Sequence, residues 1–218
     1  DASYYLFRTE DVTSEYLIKE DNWTAAAEYA DSLGVDVINS SLGYSQFTDA
    51  KMDHTYTDLD GKTTRVTKAA NMAFQKGILV FASAGNEGSN AWKRIIAPSD
   101  GENVIAVGAV DKKGLRVSFS SVGPAYKGAV KPNVAAMGSG TTLVTSNQVI
   151  GSASGTSFSA PVLAGMGACL LQANPYCSVR QIKLAIEQSA SQYSKPDSLI
   201  GYGIPDFQKA DMYLKINS

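Results

Sequence analysis

"GTSFSAP", Gly155 to Pro161, stands at the head of an apolar stretch, and its reading decides the fold. From Phe158 to Leu171 nearly every position is apolar, so "SFSAPVLAGMGACLLQANP" is expected to form a buried central helix rather than an amphipathic surface one. Pro161 falls near the first turn, where a missing amide costs little, and Pro175 lies just past the end. Ser157 is thereby placed at a helix N-terminus, where unpaired amides and the positive end of the dipole favour negative charge. Serine and threonine are also common helix caps, so Ser157 taken alone is as much a cap as a nucleophile.

Outward from this helix, apolar runs rich in β-branched residues alternate with helical patterns, the signature of a parallel sheet with crossover helices. Strands are expected at "YYLFR" (Tyr4 to Arg8), "VDVINSS" (Val35 to Ser41), "ILVFASA" (Ile78 to Ala84) and "NVIAVGAV" (Asn103 to Val110). "NWTAAAEYADSLG" and "TTRVTKAANMAFQKG" read as the intervening helices, with Gly34 and Gly77 as their C-terminal stops. "SVRQIKLAIEQSA" follows as an amphipathic helix capped by Ser178, and "GYGIPDFQKADMYL" closes with a turn and a short helix. No repeat or linker interrupts the pattern, so residues 1–218 read as a single α/β domain.

Composition narrows the function. The 218 residues are 44% hydrophobic and 18% charged, with a formal charge of −2 and no basic run, which gives no footprint for nucleic acid or an anionic membrane. No apolar run reaches the roughly 18 residues of a membrane span, and "DASYYLFRTED" is not a signal peptide. Two cysteines, Cys169 and Cys177, are too few for a disulfide framework. Both are expected reduced, with Cys169 buried as a small hydrophobe. Nothing has metal-ligand spacing.

Two further blocks share the chemistry of Ser157. "NSSLG", Asn39 to Gly43, ends the second strand, and ligands of open α/β sheets bind outside the carboxyl ends of strands. "ASAGNEG", Ala82 to Gly88, ends the third; Asn86 between glycines can donate its amide to a developing oxyanion, or simply serve a tight turn. In this order and on these elements, with "VIAVGAV", "SFSSVGP" and "KPNVAAMG" between them, the blocks closely resemble the subtilisin-like serine proteases, from about Tyr4 to the C-terminal helix. An α/β-hydrolase is disfavoured, because Ser159 stands where G-x-S-x-G requires glycine.

The resemblance implies a subtilisin-like fold, a parallel sheet with helices on both faces, acting on polypeptide substrates in a secreted or cell-envelope setting. Ser157 matches the nucleophile, and Asn86 with the Ser157 amide the oxyanion hole. Ser41, Leu42, Gly43, Ala84 and Gly85 match the walls of the primary specificity pocket, which should admit a large apolar side chain. Glu15, Tyr16 and Leu17 match the edge that pairs with an extended substrate, and Ala97-Pro98 a dipeptide that tends to be cis. Val162, Met137 and Asn133 depart from residues usual in the family. No cofactor is implied; a structural calcium ion is compatible with the family, though no site is identified.

Family members carry a catalytic aspartate and histidine upstream of the "NSSLG" block. Neither motif stands there. The one histidine, His54, lies in "KMDHTYTD" with no helical pattern and reads as a solvated loop residue, while "DLDG", Asp58 to Gly61, reads as a polar turn. The chain is therefore expected to hold the nucleophile and oxyanion hole only, and to be inactive alone. A non-catalytic peptide- or protein-binding module is the alternative. In the family's sheet a strand lies between those matching "YYLFR" and "VDVINSS"; without it, the N-terminal strand is expected to rearrange, swap with a second copy, or dimerise.

Overall fold

The computed structural model describes residues 2–217. Four parallel strands form the main sheet in sequence order: β1 (Val37–Ser40), β2 (Leu79–Ser83), β3 (Ile105–Val110) and β4 (Val134–Met137). Register is direct, with Ile38 opposite Val80, Ala82 opposite Ala106 and Gly108 opposite Ala135. Every residue of β2 and β3 is buried, which requires cover on both faces of the sheet.

Helices supply that cover. α1 (Ile18–Ser32) packs on α2 (Arg65–Gln75), and α2 on β2. The long α3 (Thr156–Ala173) lies against all four strands, and α4 (Val179–Gln188) and α5 (Phe207–Asn217) pack on it and on each other. Gly167 lets α3 approach: a Cβ there would stand 2.7 Å from Cζ of Phe81. Gly34 (φ 73°) and Gly77 (φ 99°) take the left-handed conformation just past α1 and α2, as their placement as stops requires. Ser178 caps α4 by accepting from Gln181 N. A hairpin of β5 (Thr141–Val144) and β6 (Ile150–Ala153) leads into α3.

Several expectations need correction. Tyr4 to Arg8 form no strand and are exposed; the segment is tethered at Thr9, whose carbonyl accepts from Asn22 Nδ2 at 3.2 Å. An aromatic run becomes a strand only with a ladder partner, and β1 pairs with β2 alone among the described residues. α1 begins at Ile18, well before Asn22, because Glu20 and Asp21 favour the positive end of the helix. β4 and the hairpin were not anticipated. α3 is not buried all round: Val162, Met166 and Cys169 lie exposed, since sheet, α4 and α5 leave one side uncovered. At 18 residues α3 is also long and apolar enough to cross a membrane by length and composition, where no such run was expected, but it packs on the sheet instead. Both cysteines are free.

Candidate active site

The C-terminal ends of β1 and β2 and the N-terminus of α3 meet at a cleft of about 410 Å³ lined by Ser41, Leu42, Gly43, Gly85, Asn86, Thr156 and Ser157. Residues far apart in sequence converge here because parallel strands all deliver their carboxyl ends to one side of the sheet. Ser157, half-buried, donates its hydroxyl hydrogen to the Ser41 carbonyl (3.2 Å), and Ser41 Oγ donates to the Ser157 carbonyl (2.9 Å). This reciprocal pair ties the strand-end loop to the helix.

The orientation of Asn86 follows from its partners. Its Oδ1 accepts from Thr156 N (2.9 Å) and Thr156 Oγ1 (3.0 Å). A backbone amide can only donate, so it selects the oxygen of the Asn86 amide and turns Nδ2 away. Nδ2 and the Ser157 N–H have no acceptor among the described residues. Two free donors thus belong to the residues that line the cleft with the hydroxyl, one from an exposed side chain and one from a helix N-terminus, a set suited to negative charge on a reacting oxygen. Thr156 is the joint: fully buried, it also accepts from Gly85 N at 3.2 Å. Sequence reasoning passed over it, although its place between Gly155 and Ser157 was the available signal.

Other expected residues are placed differently. Ala84 is fully buried and does not line the cleft; its carbonyl accepts from Ile96 N (3.2 Å). The isoleucine side chain of Ile96 stands between Gly43 and Gly85, in the space expected to be open for a large apolar group. Tyr16 and Leu17 are not an extended edge: their carbonyls accept from Lys19 N and Glu20 N at the start of α1, and Glu15 is bonded to Thr48 through both its N–H and its carbonyl. Ala97-Pro98 is cis.

His54 is not a solvated loop residue. Its Nε2 pairs with the carboxylate of Glu20, which is fully buried, and its ring stacks edge-on to Phe47 at 5.3 Å. The buried carboxylate also accepts from Val66 N (3.2 Å), so His54 serves to satisfy a charge inside the fold. It does not line the cleft. Asp58 accepts from Thr55 N (2.7 Å) and Asp60 from Lys62 N (3.1 Å), which makes "DLDG" a polar turn.

The cleft also has an acidic rim, Glu10 and Glu15; sequence reasoning missed Glu10 and named Glu15 only as part of an extended edge. Lys19 pairs with both, at 3.2 and 2.5 Å, and Tyr44 Oη donates to Glu10 at 2.6 Å. Burial pushes the Tyr44 phenol well up, and the Glu10 carboxylate adds to the shift. Burial alone would lower Lys19, but its bonds to Glu15 and Glu10 outweigh that and hold it above its ordinary value. One lysine thus serves two carboxylates, which leaves the rim acidic.

A sequence model of the subtilase family matches residues 8–203. The chain is 36% identical over 176 residues to the thermophilic serine proteinase of Bacillus sp. (strain AK1), covering 80% of this chain and 37% of that protein. With subtilisin DY of Bacillus licheniformis it shares 33% over 165 residues, covering 75% and 53%. Among solved structures it resembles the prenylagaramide maturation protease PagA (TM-score 0.71, 26% identity, 89% of this chain and 67% of that one). It shares the fold of the patellamide maturation protease PatA (TM-score 0.73, 24% identity, 91% and 70%). The chain spans only 37% and 53% of the length of the two curated relatives.

Proposed function

The chain belongs to the subtilase family, and from that premise we propose that it is the nucleophile-bearing part of a serine endopeptidase. Ser157 Oγ attacks the scissile carbonyl, the Ser157 amide and Asn86 Nδ2 hold the oxyanion, the C–N bond breaks as the amine leaves with the proton taken from Ser157, and water then hydrolyses the acyl ester on Ser157. The observation that carries this reading is the convergence of one hydroxyl and two unpaired donors on a single cleft. Among the described residues the proton of Ser157 has no base to go to: it is donated to a backbone carbonyl, and His54 is committed to Glu20. We therefore assign the base and its orienting acid to residues outside these 218, and expect the chain alone to turn over substrate several orders of magnitude below the whole protein. The substrate is polypeptide, the chemistry needs no cofactor, and family membership supports a secreted or cell-envelope location.

Fluorophosphonate labelling tests the reading. In the whole protein the label is expected on Ser157, and Ser157→Ala abolishes both labelling and peptide hydrolysis. Hydrolysis by the variant equal to that of the unaltered protein refutes the assignment. The absence of a base beside Ser157 favours one second reading, a module that binds extended peptides without cutting them; a whole protein that binds peptides but takes no label would establish it.

A further inference from the structure

The glycines of the cleft walls are small for a reason other than the substrate. An ideal Cβ on Gly43 would lie 2.5 Å from Ile96 Cδ1 and 2.6 Å from Cγ1; one on Gly85 would lie 3.0 Å from Cγ1 and 3.1 Å from Cδ1. Gly43 follows β1 and Gly85 follows β2, so these are opposite walls. Both approach the same two carbons. The Cγ1–Cδ1 arm of Ile96 therefore spans the gap between the two strand-end loops; Gly43 makes room for it, while Gly85 also clears Ser121 Oγ, 2.7 Å from an ideal Cβ, and takes a φ of 107°.

We infer that Ile96 is a specificity-determining residue: it fills the base of the side-chain pocket, so that the residue whose carbonyl is attacked must be small, such as glycine, alanine, serine or cysteine. The inference rests on the endopeptidase reading and narrows its substrate class. A substrate carbonyl placed between Ser157 Oγ and the two donors directs its own side chain between the strand-end loops. That is where Ile96 stands, 9% exposed and lining the cleft.

Ile96 has little freedom to withdraw. Its N–H donates to the Ala84 carbonyl (3.2 Å), tying it to the β2 wall. Next to it, Ala97 and Tyr44 exchange two hydrogen bonds (Tyr44 N to Ala97 O 2.8 Å, Ala97 N to Tyr44 O 3.1 Å), tying it to the β1 wall. Ile95 and Ala97 on either side are fully buried. A β-branched side chain on a backbone pinned at both walls has few rotamers with which to clear the space. Packing into a filled site forces displacement of side chains or backbone, so larger groups are rejected rather than accommodated.

The test profiles hydrolysis by the whole protein on peptides that differ only at the residue preceding the scissile bond. kcat/KM is expected to be at least about tenfold higher for alanine than for leucine or phenylalanine, within the range of hydrophobic-pocket discrimination. Ile96→Ala should raise the leucine and phenylalanine values relative to alanine by about 10- to 100-fold. Should that variant fail to fold, Ile96→Val must move leucine in the same direction by a smaller factor. Preference for phenylalanine or leucine in the unaltered protein overturns the inference. Ser157→Ala separates the two readings: hydrolysis that survives it sinks the endopeptidase assignment. Product-like peptides ending in alanine or phenylalanine, titrated against Ser157→Ala protein, then test the pocket without turnover. Equal or tighter binding of the phenylalanine peptide overturns the inference, and tighter binding of the alanine peptide upholds it.

Discussion

Replacing Asn133 by aspartate keeps the shape of the side chain and changes one donor into an acceptor. Asn133 is buried; its Oδ1 accepts from Ala106 N and Lys131 Nζ (both 2.9 Å) and its Nδ2 donates to Glu187 Oε1 (2.8 Å). In Asn133→Asp two carboxylate oxygens would face each other at that 2.8 Å, a repulsion of about 6 kcal/mol at an effective dielectric constant of about 20. The new charge lies 2.9 Å from Lys131 Nζ, and that attraction is of the same size, about 6 kcal/mol. The two offset each other. What remains is the lost hydrogen bond to a charged acceptor, worth about 1.5–3 kcal/mol. A loss near 2 kcal/mol is expected at pH 6, where Lys131 carries its charge, about 4–8 °C in Tm for a chain of this size. Lys131, pushed down to about 7 by burial, with Lys183 adding to the depression, is the cation that makes the cancellation work; above that value the cation fades, the repulsion loses its offset and the loss grows. The sign with pH follows from proton counting: the folded variant retains a proton between the two carboxylates that the unfolded chain, with ordinary carboxyl values near 4, has released. The deficit therefore shrinks toward pH 5 and grows as pH rises. Denaturant titrations of variant and unaltered protein at pH 5.5 and 8 measure it, and adding Glu187→Gln should restore the donor from the other side. Equal stability at pH 8, or a deficit larger at pH 5.5, refutes the reasoning.

Two other outcomes are accessible. Asn86→Ala removes one of the two free donors and leaves Thr156 N unpaired; kcat in the whole protein is expected to fall about 10²- to 10³-fold with KM little changed, and a fall confined to KM would take Asn86 out of the oxyanion hole. The open edge of β1, the exposed Tyr4 and Leu6, and the uncovered stripe of Val162 and Met166 on α3 predict self-association of the 218-residue chain, so sedimentation velocity should show mass rising with concentration; a monomer at hundreds of micromolar removes the prediction.

The parts of the fold legible in sequence were those whose signal is local. Gly34, Gly77 and Ser178 mark helix ends by backbone chemistry that needs no partner, and all three stand where expected. β2 and β3 read correctly because a strand buried on both faces is a near-continuous apolar run, broken in β2 only by Ser83 at its end. Tyr4 to Arg8 carries the composition of a strand, but hydrogen bonding to a neighbour decides that outcome, and composition says nothing about the neighbour. The same limit applies to α3. Its apolar residues were taken to specify burial on every side, whereas composition states only what a surface would prefer to touch.

At the site the division falls along the same line. Ser157, Asn86, Ser41 and Gly43 belong to blocks whose spacing follows strand ends and a helix start, so the sheet brought them together as expected. Ile96 and the Glu20–His54 pair were invisible because their significance lies in what they face across the fold. His54 shows the point most sharply, since the residue type alone made it the natural candidate for a base. A buried carboxylate demands a partner far more strongly than a half-exposed hydroxyl does, and Glu20 holds the imidazole in a place from which it does not reach the cleft. The glycines argue the converse case. Small residues in a pocket wall suggest room for a ligand only when nothing else fills the room, and here a neighbouring isoleucine does. Which side chain a glycine makes way for is a property of the packed structure, and it is the ground on which we infer a small substrate residue where the same glycines in the sequence imply a large one.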